Sequence, residues 1–360
     1  MSKKQWYNII GLMSGTSLDG LDIAFCRFEK KGINWNYSII QAETVEYSAE
    51  WKRRLHSLNK STASDFVQVD IEYGQFIGRT VKNFIGRFTL KPDFISSHGH
   101  TIFHHPSKGI NCQIGRGSVI AAETGFPVIC DFRSTDMALG GQGAPLVPLG
   151  DRILFHEYGF CLNLGGFANI SFEKENQRIA FDICPVNTVL NMLARQMGKD
   201  YDEGGKSAAS GTTDESLLMK MNALPYYHLE PPKSLGKEWL EEFFLPALEQ
   251  SGIAIQDQLR TVCEHISIQT GRVISDPLQG TLLITGGGAF NTFLVDLIRK
   301  TSPVNVVLPD PLTINFKEAL IFAFLGLMRW LEEINCLKSV TGAISDSSGG
   351  AIYLPAKKNQ

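Results

Sequence analysis

The chain has 360 residues, 43% of them hydrophobic and 20% charged, with a net charge of −3. That length exceeds what one small core needs and suits two domains of ordinary size. The near-neutral charge argues against a broad basic face for nucleic acid or anionic lipid, so the expected partner is a small molecule, and any phosphate must be held by local geometry. Seven cysteines, an odd number with no Cys-x-x-Cys pair, lie mostly in apolar runs. Free buried thiols in a reducing, cytoplasmic compartment fit them better than disulfides or zinc. The opening MSKKQWYNII has no apolar stretch long enough for a signal peptide, and no run of about 18 apolar residues predicts a membrane span.

In chain order, WYNIIGL predicts a short apolar strand. LDIAFCRFEK alternates with period two, Ile23, Phe25 and Arg27 against Ala24, Cys26 and Phe28. Asn34 to Tyr47 predicts a third strand, and glycine turns between the three suggest an antiparallel meander. Asp65 then opens a helical pattern to about Phe88, with Val67, Ile71, Phe76, Ile77 and Val81 at roughly helical spacing. DFISSHG reads as a buried strand, Val119–Thr124 as a short helix and PVICDF as another strand.

Near Gly159 the pattern starts again. GFCLNLGGFANISFE is strand, glycine turn, strand, and RIAFDICP is a third strand. Helical patterns run to about Asp276, GTLLITGGGAF reads as strand, glycine turn and helix start, NVVLPD as a short strand, and Phe316–Leu331 as a helix. Strand–strand–strand–helix used twice predicts an α/β chain of two similar lobes with a ligand cleft between them. The expected division assigns 1–137 and about 330–360 to the N-terminal lobe and 138–329 to the C-terminal lobe. The glycine-rich stretch Leu139–Gly150 is the hinge candidate.

The chemistry-bearing motifs sit at the turns. GLMSGTSLDGLDIAF offers Gly11, Ser14, Gly15 and Thr16, whose backbone N–H groups and hydroxyls can approach an anion. Asp19 and Asp22 beside them can hold Mg²⁺ directly or through water. A plain polar hairpin is the competing reading. LNLGGFAN, with Gly165, Gly166 and Asn169, repeats the arrangement, and a polyphosphate clamped between lobes needs a hairpin from each. ITGGGAFN, with Gly286, Gly287 and Gly288, can lay backbone against a nucleotide, although it is no G-x-G-x-x-G fingerprint and the chain has no Walker lysine motif. Asp182 in AFDICPVN follows an apolar strand, so its carboxylate is expected to face the cleft. The four histidines of SHGHTIFHHP match no standard zinc spacing and suggest a polar cleft wall.

Together with QIGRGSVIAAETGFPVICDFRSTDMALGGQGAPLVP, YDEGGKSAASG and PPKSLGKEW, these stretches resemble the anhydro-N-acetylmuramic acid kinase family from residue 11 to about residue 290. The resemblance implies an actin-like ATPase (ribonuclease H-like) fold and a role in cell-wall recycling. The 1,6-anhydro bond of the amino sugar would be cleaved with water while ATP phosphorylates O6, giving N-acetylmuramic acid 6-phosphate. It places the general base on Asp182 and the substrate arginine on Arg133, with His98, Gln142 and Glu318 expected at the same substrate site. The Gly11–Asp19 hairpin is similar to the family's ATP phosphate loop, with Asp19 as the metal candidate. A homodimer is implied as well. The chain departs from the family where Ile183-Cys184-Pro185-Val186-Asn187 replaces the common Thr-Gly-Pro-Gly-Asn, and where His100 replaces a glutamine. A kinase for a related amino sugar and a nucleotide-binding paralogue without turnover are the alternatives.

Overall fold

A computed structural model describes residues 4–274 and 280–356. The described residues contain twelve strands, with helices between groups of them. The first six are β1 (Trp6–Ser14), β2 (Gly20–Lys31), β3 (Asn34–Glu46), β4 (Phe94–His105), β5 (Ile110–Ile114) and β6 (Val128–Cys130). The others are β7 (Phe160–Leu164), β8 (Phe167–Lys174), β9 (Gln177–Pro185), β10 (Thr281–Thr285), β11 (Asn305–Val307) and β12 (Ala351–Tyr353).

By contacts the chain falls into two units, Met1–Leu154 with Phe316–Gln360, and Phe155–Asn315. The first holds a sheet of order β12-β6-β4-β1-β2-β3, with β5 paired to β4. Strands β1, β2 and β3 pair antiparallel, and β4 and β6 extend the sheet in parallel. Central β1 is buried from Tyr7 to Leu12, as expected of a strand covered on both faces. Outer β3 alternates burial and exposure along much of its length. The helix Ala63–Phe88 is capped at its start by Thr62, whose side chain accepts from Asp65 N–H, and stops at Thr89 in the left-handed region. It buries Val69, Tyr73, Ile77, Val81 and Phe84, whereas Val67 is exposed. The apolar face is therefore rotated from the one the sequence suggested, because three aromatic and β-branched positions at 73, 77 and 81 dominate it.

From Phe316 onward the helix Pro311–Trp330 belongs to the first unit. Its apolar window is long enough to cross a membrane, but 78% of it is buried inside the protein. It lies so close to β1 that a Cβ on Gly11 would sit 1.9 Å from Ala319 O, and one on Gly150 would meet Ile321 at 2.6 Å. Gly11 is thus a packing glycine.

The second unit has a sheet of order β11-β10-β7-β8-β9. Strands β7, β8 and β9 are antiparallel, and β10 and β11 continue in parallel. This is the same order as β3-β2-β1-β4-β6 read from the other end, so the two sheets repeat one plan. Phe160, Leu162, Ile170, Phe181 and Leu282 pack there against Val262 and Ile266 of the helix Ile255–Val273.

The boundaries differ from the expected 137/138 and 329/330. The helix Val147–Leu154 belongs to the first unit, held by the Gly150–Ile321 contact and by an ion pair between Asp151 and Lys317 at 2.7 Å. The glycine-rich stretch 139–150 is likewise tied down within that unit. Gly143 N–H donates to Asp136 Oδ2 at 2.8 Å and Gln142 N–H to Thr341 O at 2.9 Å. The chain instead passes between units at Leu154/Phe155 and Asn315/Phe316. The helical run expected to reach about Asp276 ends at Val273, and Asp276 itself lies outside the described residues.

Candidate active site

The β1–β2 turn carries the first group of candidates. Leu18 takes a positive φ of 61° and its N–H closes on Gly15 O at 3.3 Å. The amides of Thr16, Ser17 and Asp19 carry no hydrogen bond among the described residues. Thr16, Ser17 and Asp19 are exposed, and a Cβ on Gly15 would meet only Ser17 Oγ at 3.4 Å. The tip therefore offers free donors and open space, the features an anion cradle requires. Ser14 is different. It is buried, and its hydroxyl is shared with Tyr47 Oη at 2.6 Å and His100 Nδ1 at 2.8 Å. Tyr47 in turn meets Tyr73 at 2.5 Å. Ser14 faces this internal chain, and burial holds His100 neutral by lowering it to about 4.

Asp22, on β2, is half-buried. Burial raises its carboxyl to about 6; the Thr44 hydroxyl, donating at 2.6 Å, opposes the rise and the Asp19 charge adds to it. Glu318 of the helix Pro311–Trp330 is raised by burial and by the Asp22 charge, against Lys317 and Arg133. Two mutually repelling carboxylates with Asp19 close by suit a cation. The described residues contain no group of three His, Cys, Asp or Glu side chains arranged for a metal. The donor set fits Mg²⁺ held mainly by phosphate and water through one or two carboxylates.

Arg133 and His98 are joined. Arg133 Nε and Nη2 lie 3.1 and 2.9 Å from His98 Nε2, and Nη1 donates to Gly143 O at 2.6 Å. His98 Nδ1 sits 2.9 Å from Gly99 O, so Nδ1 carries the hydrogen and Nε2 accepts from the guanidinium. Burial and the Arg133 charge push His98 well below its ordinary value. Arg133 itself is lowered to about 10 by burial, and stays charged near neutrality. Gln142, next in sequence to Gly143, is exposed, and its N–H donates to Thr341 O. None of the four histidines stands in a metal cluster among the described residues.

In the second unit, the β7–β8 turn holds Gly165 and Gly166, whose carbonyls accept from Asn187, Val186 and Thr188 N–H at 2.9–3.2 Å. Asn187 Nδ2 also donates to Leu164 O at 3.0 Å. Gly286, at φ 80°, and Gly288 press on Asn163 and Leu164, so a Cβ on either would come within 2.6 Å of them. Gly287 is exposed beside Asn187. The ends of parallel β7 and β10 thus bring the two glycine stretches together. Asn169 on β8 faces Asn163 and Asp182 in register.

Asp182 lies inside β9 and not after it. Its Oδ2 accepts from Leu235 N–H at 2.9 Å, and Oδ1 has no partner among the described residues. Burial raises the carboxyl to about 6, with the Leu235 N–H pulling the other way. Cys184 and Val186, the departures beside it, are both fully buried in the second core, and Val186 has φ −129°.

Sequence reading missed the Leu235 contact, Tyr226, Asp136 and the Ser14–Tyr47–Tyr73 chain. The one available signal was PPKSLGKEW, a distinctive stretch to which no role could be given.

The two α/β sheets repeat one strand plan, each with a glycine turn between its first two strands, and the family that matches the chain makes it a sugar kinase. The family described as anhydro-N-acetylmuramic acid kinase matches residues 7–355, and the chain belongs to it. A relative of that name from Coxiella burnetii (strain RSA 493 / Nine Mile phase I) is 34% identical over 381 residues, 97% of this chain and 98% of its own length. One from Shewanella baltica is 35% identical over 367 residues, covering 96% and 98%. One from Sulfurovum sp. is 33% identical over 370 residues, covering 98% and 100%. Among solved structures, the activator of 2-hydroxyisocaproyl-CoA dehydratase from Clostridium difficile is similar at TM-score 0.44 and 13% identity, covering 90% of this chain and 97% of that one.

Proposed function

We propose that this enzyme opens the 1,6-anhydro ring of anhydro-N-acetylmuramic acid with water and phosphorylates O6 at the expense of ATP, giving N-acetylmuramic acid 6-phosphate. The observation that carries the reading is Asp182: a half-buried carboxylate raised to about 6, with one oxygen fixed and the other unengaged among the described residues. An anhydro ring has no free 6-hydroxyl, so water must attack C1 and a base must take its proton. Asp182 Oδ1 receives that proton. Arg133, oriented by His98 and Gly143, pairs with the lactyl carboxylate in the planar manner of a guanidinium. His98, Gln142 and Glu318 complete the sugar site.

The exposed amides of Thr16, Ser17 and Asp19 and the open space at Gly15 receive the nucleotide phosphates, with Gly165, Gly166, Asn169, Gly286, Gly287 and Gly288 as the nucleotide residues of the second unit. Asp22 and Asp19 would hold Mg²⁺, which neutralises charge on the transferred phosphoryl group when bound. Seven free cysteines suit a reducing cytoplasm. The family resemblance supports a homodimer, which light scattering on the purified protein checks.

The test is ADP release with anhydro-N-acetylmuramic acid against N-acetylmuramic acid and glucosamine derivatives. Phosphorylated sugar should appear in step with ADP for the anhydro sugar only. Preferential turnover of a sugar with a free 6-hydroxyl would make the enzyme a kinase for a related amino sugar. Nucleotide binding with no turnover on any of them would make it a paralogue without catalysis.

A further inference from the structure

Among the described residues strand β9 pairs only with β8, so the outward N–H and C=O groups of β9 need partners from elsewhere. At Asp182 one segment supplies all of them. Tyr226 Oη donates to Asp182 O at 2.6 Å, and Asp182 N–H donates to Lys233 O at 3.3 Å. Two residues further on, Leu235 N–H reaches the carboxylate itself. The same residue is therefore held at its carbonyl, its amide and one carboxylate oxygen.

The segment that does this is itself anchored. Tyr226 is buried, its ring centroid 5.3 Å from that of Trp239 and 5.8 Å from that of Tyr227. Lys233 Nζ stands 4.9 Å from the Tyr226 ring centroid and 5.4 Å from that of Phe181, the neighbour of Asp182 on β9. Aromatic packing and the cation over two rings fix residues 226–235 before the hydrogen bonds to Asp182 are counted.

We propose that Tyr226 is the positioning residue of the candidate base: with Lys233 and Leu235 it closes a three-point clamp on Asp182 that locks Oδ2 and leaves Oδ1 aimed at the attacking water. The proposal rests on Asp182 being the base. Two opposed contributions set the proton affinity of the carboxylate: burial raises it, and the Leu235 N–H of the clamp lowers it. The titratable groups that face Asp182 are Tyr226 and Cys184, both neutral near pH 7 because burial raises them, with Lys233 beyond the Tyr226 ring.

Three variants of the full-length enzyme test this, assayed with anhydro-N-acetylmuramic acid. Tyr226→Phe keeps the ring against Trp239 and removes only the hydroxyl. One lost hydrogen bond at a positioning residue corresponds to roughly a tenfold fall in kcat, with KM for sugar and ATP little changed. Water admitted to the carboxylate should move the acid limb of kcat/KM to lower pH. Leu235→Pro deletes the N–H on Oδ2 and should move the same limb to higher pH. A structural role alone gives no such opposed pair of shifts. Asp182→Asn, run in parallel, separates the two layers of the argument. If it is inactive while Tyr226→Phe keeps wild-type kcat and an unmoved limb, the clamp is overturned and the base stands. If Asp182→Asn turns over normally, the base assignment falls and takes the clamp with it.

Discussion

Asp22 in the first unit and Asp182 in the second are both lifted to about 6, and burial is the main cause in each. Their surroundings differ in kind. Asp22 has a second carboxylate, Asp19, raising it further, and its own charge in turn raises Glu318. Asp182 has no carboxylate among its perturbers and is eased by a single backbone N–H. A cluster of repelling carboxylates is relieved by a cation, whereas a lone, desolvated carboxylate with one oxygen fixed is suited to accepting a proton. The same shift therefore supports two different roles, and the neighbours decide which.

The largest effect expected from this contrast is at Asp182. Asp182→Asn keeps the size and still accepts from Leu235 N–H, but cannot take a proton. Its kcat should fall about 10²–10⁴-fold, with ATP affinity measured by calorimetry unchanged. A loss of only a few-fold would reduce Asp182 to a turn-shaping residue.

Asp22→Asn should act on stability and metal dependence. A carboxyl whose folded-state value lies above its unfolded value binds more protons when folded. Its ionised form therefore destabilises the fold as pH rises from about 4 through about 6. Asparagine does not titrate, so the variant should gain up to ~3 kcal/mol at pH 8 without metal, and nothing below pH 4. It should also need more Mg²⁺ for half-maximal activity. Calorimetric melting at both pH values checks the sign, and a variant less stable at pH 8 contradicts it.

The two glycines of the first hairpin give the smallest pair of effects and separate packing from binding. Gly11→Ala forces a Cβ onto Ala319 O and should cost about 1–3 kcal/mol, read as a lower Tm. Gly15→Val meets little protein and should leave Tm unchanged. It should weaken ATP binding by roughly 10–100-fold, the equivalent of an overpacking cost of that size. Equal Tm losses for the two would erase the distinction.

Much of the strand plan was legible, because apolar runs and period-two alternation mark β1, β2, β4, β7, β8 and β9 directly. Strands β5 and β12, of five and three residues, carry too little pattern to stand out. RIAFDICP was read as a strand and β9 covers it, with Asp182 in register with Asn169 of β8, whereas the contacts of residues 226–235 with Asp182, more than 40 positions away, have no local signature. Ser14 and Gly11 looked like phosphate-loop residues of one kind with Gly15. What separates them is tertiary: a histidine 86 positions away engages Ser14, and Ala319 presses on Gly11. The pairing of Arg133 with His98, 35 residues apart, has no local signature either.

The contrast between the two aspartates is tested most directly by the pH dependence of kcat/KM for the anhydro sugar at saturating Mg²⁺, in wild type and in Asp22→Asn. The account predicts an acid limb near pH 6 that belongs to Asp182 and survives the Asp22→Asn substitution unchanged. Loss of that limb in Asp22→Asn would assign it to Asp22 and contradict the account.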